Sequence, residues 1–243
     1  MLPFWIALQF LSSLPVRLPG MPEPAELGRS LLFYPAVGAL FGLLLMGLNM
    51  LLDGIAPMLH AALLLSAWVL LSGALHLDGL ADSADAWLGG FGDRERTLKI
   101  MKDPRSGPIA VVTLVLVLLL KFAAILALLD HQAAIGLLLA PVLARAAMLG
   151  LFLNTPYVRA GGLGQALADH LPPRAAQRVL FTSAVVCLFL GGVAGLWAVV
   201  ISVACFFWLR HLMVRRLGGT TGDTAGAMLE LLELAVLLTL ALL

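Results

Sequence analysis

Charge is scarce in this chain. Of 243 residues only 12% are charged, while 61% are hydrophobic. A soluble domain carries about 25% charged residues, so a water-exposed globule is excluded and a bilayer is the solvent that suits the composition. The net charge is +1, which gives no footing for a nucleic-acid partner; membrane lipid is the expected surrounding. Cysteine is nearly absent. Cys187 and Cys205 both sit in apolar runs, where they read as small buried hydrophobes and not as a redox pair. No Cys/His cluster has zinc spacing. Neither a phosphate-binding G-x-x-x-x-G-K loop nor a G-x-S-x-G elbow is present, so NTP hydrolysis and serine-hydrolase chemistry are not favoured. There is no repeat strong enough to suggest inverted halves, which weighs against a secondary transporter.

Long apolar runs fill the space that charge leaves. A spanning helix needs roughly 20 apolar residues. Such stretches run over 30–52, 55–77, 109–129, 132–153 and 223–243. The run over 179–214 is too long for one span. Gly191-Gly192-Val193-Ala194-Gly195 near its middle predicts two short helices and a tight turn. Residues 1–14 are apolar but end at Pro15 and lack a basic leader or a small-residue cleavage site, so they read as an interfacial or re-entrant helix and not as a removed signal peptide. The expectation is an all-α polytopic membrane protein with about seven transmembrane helices, forming one domain over residues 1–243. Two cytoplasmic segments are expected, over 78–108 and 154–178.

Sidedness comes from the positive charges. Arg17, Arg29, Arg94, Arg96, Lys99, Lys102, Arg105, Arg159, Arg174, Arg178, Arg210, Arg215 and Arg216 all fall on one side of a seven-span arrangement. The loops around Asp53, Asp130 and Gly191 carry none. Lys and Arg gather on the cytoplasmic side, which puts the N-terminus in the cytoplasm. A bacterial inner membrane is the expected location.

The carboxylates are also unevenly placed. Asp78, Asp82 and Asp85 lie in Leu75-His76-Leu77-Asp78-Gly79-Leu80-Ala81-Asp82-Ser83-Ala84-Asp85, just past the second span. At 100° per residue they share a helical stripe within about 60°. Like charges that close call for a cation, and hard oxygen ligands suit Mg²⁺, which usually shares its shell with substrate phosphates. A solvated helix face is the plainer reading. His76 falls on the opposite side of such a helix, as a packing residue or a supporting polar group. Next, Met101-Lys102-Asp103-Pro104-Arg105-Ser106-Gly107 reads as a loop with two cations and one acid, suited to phosphates or simply to anchoring at the membrane surface. Finally, Asp223, Glu230 and Glu233 share one face of the last span within about 80°. Intramembrane acids face a polar cavity or the bundle interior, here either at the mouth of a site or paired with Lys121 or Arg145. Arg145, toward the cytoplasmic end of the fourth span, is a candidate for a substrate phosphate, as is Arg159. Lys121 reads as paired or snorkelling.

These groups together suit metal-assisted phosphoryl transfer. Asp78, Asp82 and Asp85 would bind Mg²⁺. Asp82 or Asp85 would be the base, and Asp103 would orient its neighbours or add a ligand. Lys102 and Arg105, with Arg145 and Arg159, would hold phosphates, and His76, Asp223 and Glu230 would complete a polar mouth.

The acidic segment resembles that of CDP-alcohol phosphatidyltransferases, but the continuation of their pattern is missing after Asp85. A closer resemblance is to the cobalamin synthase family, the adenosylcobinamide-GDP ribazoletransferases. It rests on Gln9-Phe10-Leu11 to Leu14-Pro15-Val16, Tyr34-Pro35-Ala36-Val37-Gly38, the segment from Leu75 to Asp85, Met101-Lys102-Asp103 to Arg105 and Gly107, Arg159 to Gly162-Leu163-Gly164, and Gly222-Asp223-Thr224 to Gly226-Ala227 and Glu230. These occur in family order over nearly the whole chain; Ser12-Ser13 departs from the family's threonine. The resemblance implies a Mg²⁺-dependent reaction in which the 5′ oxygen of α-ribazole, or its 5′-phosphate, attacks adenosylcobinamide-GDP. GMP leaves and adenosylcobalamin or its 5′-phosphate forms. Two other classes remain open: a lipid phosphotransferase of the CDP-alcohol type, and a transporter using Glu230 and Glu233 as a proton relay. A homo-oligomer is compatible with the sequence but is not specified by it.

Overall fold

A computed structural model describes residues 2–159, 161 and 163–243. Among these residues regular structure is helical, apart from one isolated parallel bridge between Tyr157 and Thr220. Helix α1 (Leu2–Leu11) is short and apolar. Helix α2 (Pro24–Ser30) starts on a proline and a reciprocal Glu23–Glu26 capping box. One 3₁₀ turn joins it to α3 (Tyr34–Leu51), so Pro24–Leu51 forms one apolar unit.

Helix α4 (Pro57–Ser72) stops where Gly73 and Ala74 both turn left-handed, at φ 62° and 56°. Gly73 is a common way to end a helix, but an alanine in that region costs about 1–2 kcal/mol. The chain leaves this double turn as α5 (Leu75–Gly89), bent 87° from α4. The straight helix of the second apolar run therefore ends at Ser72 and not at Leu77. The reason is backbone conformation: hydrophobicity continues through Leu77, but the helical path does not.

Helix α6 (Arg94–Ile100) begins at Asp93, whose side chain accepts from the Arg96 amide at 2.6 Å. Then follow α7 (Pro108–Asp130), α8 (Gly136–Asn154) and α9 (Leu163–Asp169). Helix α10 (Pro173–Leu217) is broken at Gly192, where φ is 53° and ψ −124°. A Cβ on Gly195 would collide with the Cys187 carbonyl. The two arms therefore double back as a hairpin, as the glycine run predicts. Helix α11 (Gly222–Ala241) closes the chain behind a Thr221–Thr224 capping box.

The almost fully buried α8 is the axis of the bundle. It packs on α3 through Gly38 and Gly42, which lie one turn apart. A Cβ on Gly38 would strike the Pro141 carbonyl, and one on Gly42 would come within 2.6 Å of the Leu138 Cα. Small residues at this spacing let membrane helices approach closely. By length and composition five helices can cross a membrane, or six if α4 and α5 form one broken span. The seven-span reading counts the two arms of α10 separately.

Candidate active site at one end of the bundle

The site is built where α5 meets the start of α11. Gly79 lies directly against the backbone of Asp223. A Cβ there would come within 2.8 Å of the Asp223 carbonyl oxygen. Gly226 meets the His76 backbone in the same way, at 3.3 Å. Two glycines thus set the distance between the acidic stripe and Asp223. Gly79→Val is expected to push these helices apart and lower turnover on the order of 10²-fold, the scale of a 1 Å misplacement at a reacting centre. Steady-state kinetics beside an unfolding curve checks this, because a pure folding defect would move the curve and not turnover of the folded fraction.

Asp223 is paired as well as packed. Its carboxylate meets the Arg159 guanidinium at 2.9 Å. Arg159 is brought there by a short pairing of loop backbones: Thr220 N–H donates to Pro156 O at 2.8 Å, and Val158 N–H to Thr220 O at 2.9 Å. The hydroxyls of Thr220 and Thr224 lie 3.0 Å apart beneath this pairing, and Thr221 donates to the Met101 sulfur at 3.3 Å. The loop after α6 is thereby tied to the same corner. Sequence reasoning did not single out Tyr157, Thr220 or Thr221. The run Gly-Thr-Thr-Gly-Asp-Thr before the last span was the available signal, since hydroxyls at a helix start are capping groups.

The acidic stripe is not uniform. Asp78 is exposed and Asp82 half-buried, and among the described residues neither is held by a hydrogen bond or ion pair. Asp78, Asp223 and Asp85 all repel charge on Asp82, and Arg159 offsets part of that repulsion. Asp85 is differently employed. Its two oxygens accept from the backbone amides of Gly107 and Ala110, the latter at 2.9 Å, so it caps the start of α7. A Cβ on Gly107 would intrude on that carboxylate. Asp85 therefore caps α7 from within the acidic stripe, and each of its oxygens keeps a lone pair for a further partner. Among the described residues no group of three or more His, Cys, Asp or Glu is arranged to hold a metal ion. Asp78 and Asp82 still fit magnesium, which is commonly held by one or two carboxylates plus substrate phosphates.

Other predicted residues separate into those at this edge and those elsewhere. Lys102 is exposed and shares a basin of about 750 Å³ with Asp93, Glu95, Arg96, Lys99 and Asp103. Arg105 is committed to Asp103 through Nε and Nη2 at 2.9 and 2.8 Å. Hydrogen bonds from Arg105 hold the Asp103 carboxyl low, at about 2, which makes Asp103 a poor proton acceptor. Three predictions fail on burial. Arg145 is 0% exposed, donates to Glu233 at 2.8 Å and lies over the Phe41 ring. Glu230 is buried against Lys121 at 2.6 Å, and Lys121 also meets Glu233 at 2.7 Å. His76 is buried on the inner side of α5. Arg145, Glu233, Lys121 and Glu230 form an internal charge network, not the mouth of the site, and neither ring nitrogen of His76 has a partner among the described residues. Gly162, quoted in the sequence pattern, lies outside the described residues.

Comparison with known proteins identifies the family. The family model described as Cobalamin-5-phosphate synthase matches residues 3–241. A Pseudomonas syringae pv. syringae protein named adenosylcobinamide-GDP ribazoletransferase is 76% identical over all of both chains. One of the same name from Pseudomonas putida (strain KT2440) is 74% identical over 100% of this chain and 99% of its own. No solved structure matches. With the family pattern running from one end of the bundle to the other, the chain belongs to the cobalamin-5-phosphate synthase family and is a transferase.

Proposed function

We propose that the protein transfers the adenosylcobinamide-phosphate group from adenosylcobinamide-GDP to α-ribazole or α-ribazole 5′-phosphate, with release of GMP, at the cytoplasmic face of a bacterial inner membrane. The observation that carries this is the pair Asp78 and Asp82, one helical turn apart and unengaged among the described residues, beside the Asp223–Arg159 ion pair, where Met101, the neighbour of Lys102, contacts Arg159 and Thr221. Asp78 and Asp82 would hold Mg²⁺ together with the substrate diphosphate. When bound, the ion neutralises phosphate charge and polarises the phosphorus. Asp82 takes the proton from the attacking hydroxyl as its oxygen bonds to the phosphorus next to cobinamide. The bond from that phosphorus to the bridging oxygen breaks, and that oxygen leaves with GMP. Lys102 and Arg159 stabilise the negative charge that develops there.

The family description, cobalamin-5-phosphate synthase, supports a ribose hydroxyl other than the 5′ one as the nucleophile, since a 5′-phosphate in the product would occupy that position. The shared names of the relatives favour this reaction over a lipid phosphotransferase. Pairing of Glu230 and Glu233 with Lys121 and Arg145 weighs against a proton relay.

The test is purified protein in liposomes with adenosylcobinamide-GDP, α-ribazole and Mg²⁺. One GMP is expected per corrinoid product, and none when Mg²⁺ is chelated. Product from a CDP-activated lipid in place of GMP would overturn the assignment.

A further inference from the structure

The end of the bundle opposite the acidic stripe has loops without lysine or arginine. A cavity of about 520 Å³ opens there between the last turn of α3, the start of α4 and the last turn of α7. Its polar lining is Asn49, Asp53, His60, Asp130 and Gln132. His60 is only 9% exposed, and its Nε2 has no hydrogen-bond partner among the described residues. Asn49 Oδ1 is likewise buried without one. Asp53 accepts a bond from the Gly54 amide at 3.1 Å and has acceptor capacity to spare.

Two exposed carboxylates line this cavity together with a ring nitrogen and an amide oxygen that are buried without partners among the described residues, and the loops here carry no lysine or arginine. Buried polar atoms such as His60 Nε2 and Asn49 Oδ1 are normally satisfied, and beside two carboxylates the complement is a cationic N–H donor. A primary ammonium offers three N–H groups and a positive charge. The rim narrows the choice further. Met50 lines the opening and Leu51 and Met58 flank the lining residues in sequence, all three exposed, an apolar fringe that suits acyl chains.

We infer that this cavity binds the ammonium headgroup of an aminophospholipid from the leaflet opposite the candidate active site. The assignment does not depend on the reaction proposed above.

Native mass spectrometry of the protein from liposomes tests it. Phosphatidylethanolamine and phosphatidylcholine are offered in equal amounts over a phosphatidylglycerol background. Phosphatidylcholine has no N–H donors on its nitrogen. Wild type is expected to retain phosphatidylethanolamine preferentially, and the triple variant Asp53→Asn, His60→Ala, Asp130→Asn to lose that preference while still releasing GMP. Equal retention of both lipids by wild type would overturn the inference and needs no variant. So would an undiminished preference in the triple variant, or displacement of the lipid by ethanolamine at equal concentration, which would mark the site as one for soluble amines.

Discussion

Asp82→Asn is expected to lower GMP release by roughly 10²- to 10⁴-fold, the range for loss of a positioned general base. Amide and carboxylate are similar in shape, so the fold should be retained. What changes is the ability to take a proton and to share a cation with Asp78. The effect should appear in kcat, with little change in KM for α-ribazole, because no contact to the nucleoside is assigned to Asp82. Asp85→Asn makes the instructive contrast. Its oxygens cap α7 through Gly107 and Ala110, so its substitution should lower stability by about 1 kcal/mol, typical of a lost cap, and leave more activity. Full magnesium-dependent turnover by the Asp82 variant would sink its assignment as base and ligand.

Lys121→Met should produce the largest stability loss. Lys121 bridges Glu230 and Glu233 at 2.6 and 2.7 Å in the middle of the bundle, with its ammonium 5.3 Å from the centre of the Trp68 ring. Removing one partner of a buried pair costs about 3–5 kcal/mol, because the other is left without compensation. Here two carboxylates would share the single remaining cation, Arg145. Unfolding in a defined detergent measures the loss. Lys121→Met combined with Glu230→Gln should recover part of it, since the charge is then balanced again. If the double variant is no more stable than Lys121→Met alone, the network is not held by charge balance.

Much of the architecture was legible in the sequence because it is written in short-range signals. Apolar runs, prolines at helix starts and the glycine run in α10 locate elements within a few residues. The stripe of Asp78 and Asp82 follows from helical periodicity alone. The rest depended on partners distant along the chain. Pairing with Arg145 or Lys121 is one of two readings open in the sequence for the acids of the last span, and choosing it over a phosphate role for Arg145 needs Glu233, 88 residues away, placed beside it. Asp85 looked equivalent to Asp82 until Gly107 and Ala110 were placed beside it. The bend after Ser72 was illegible for another reason: Gly73 hints at it, but nothing in the composition marks Ala74 as left-handed.

Arg159 and Asp223 meet at the end of a long path, and the timing of biosynthesis inherits that geometry. Segments near residues 78–82, 101–105, 157–159 and 220–224 must all be present before the corner closes. The ribosome delivers the last of them when the chain is nearly complete. Until α11 emerges, Lys121 and Arg145 lack their glutamates and Arg159 lacks Asp223, a costly state for cations in a membrane, so a chain stalled before the last helix is expected to hold neither its charge balance nor its catalytic corner.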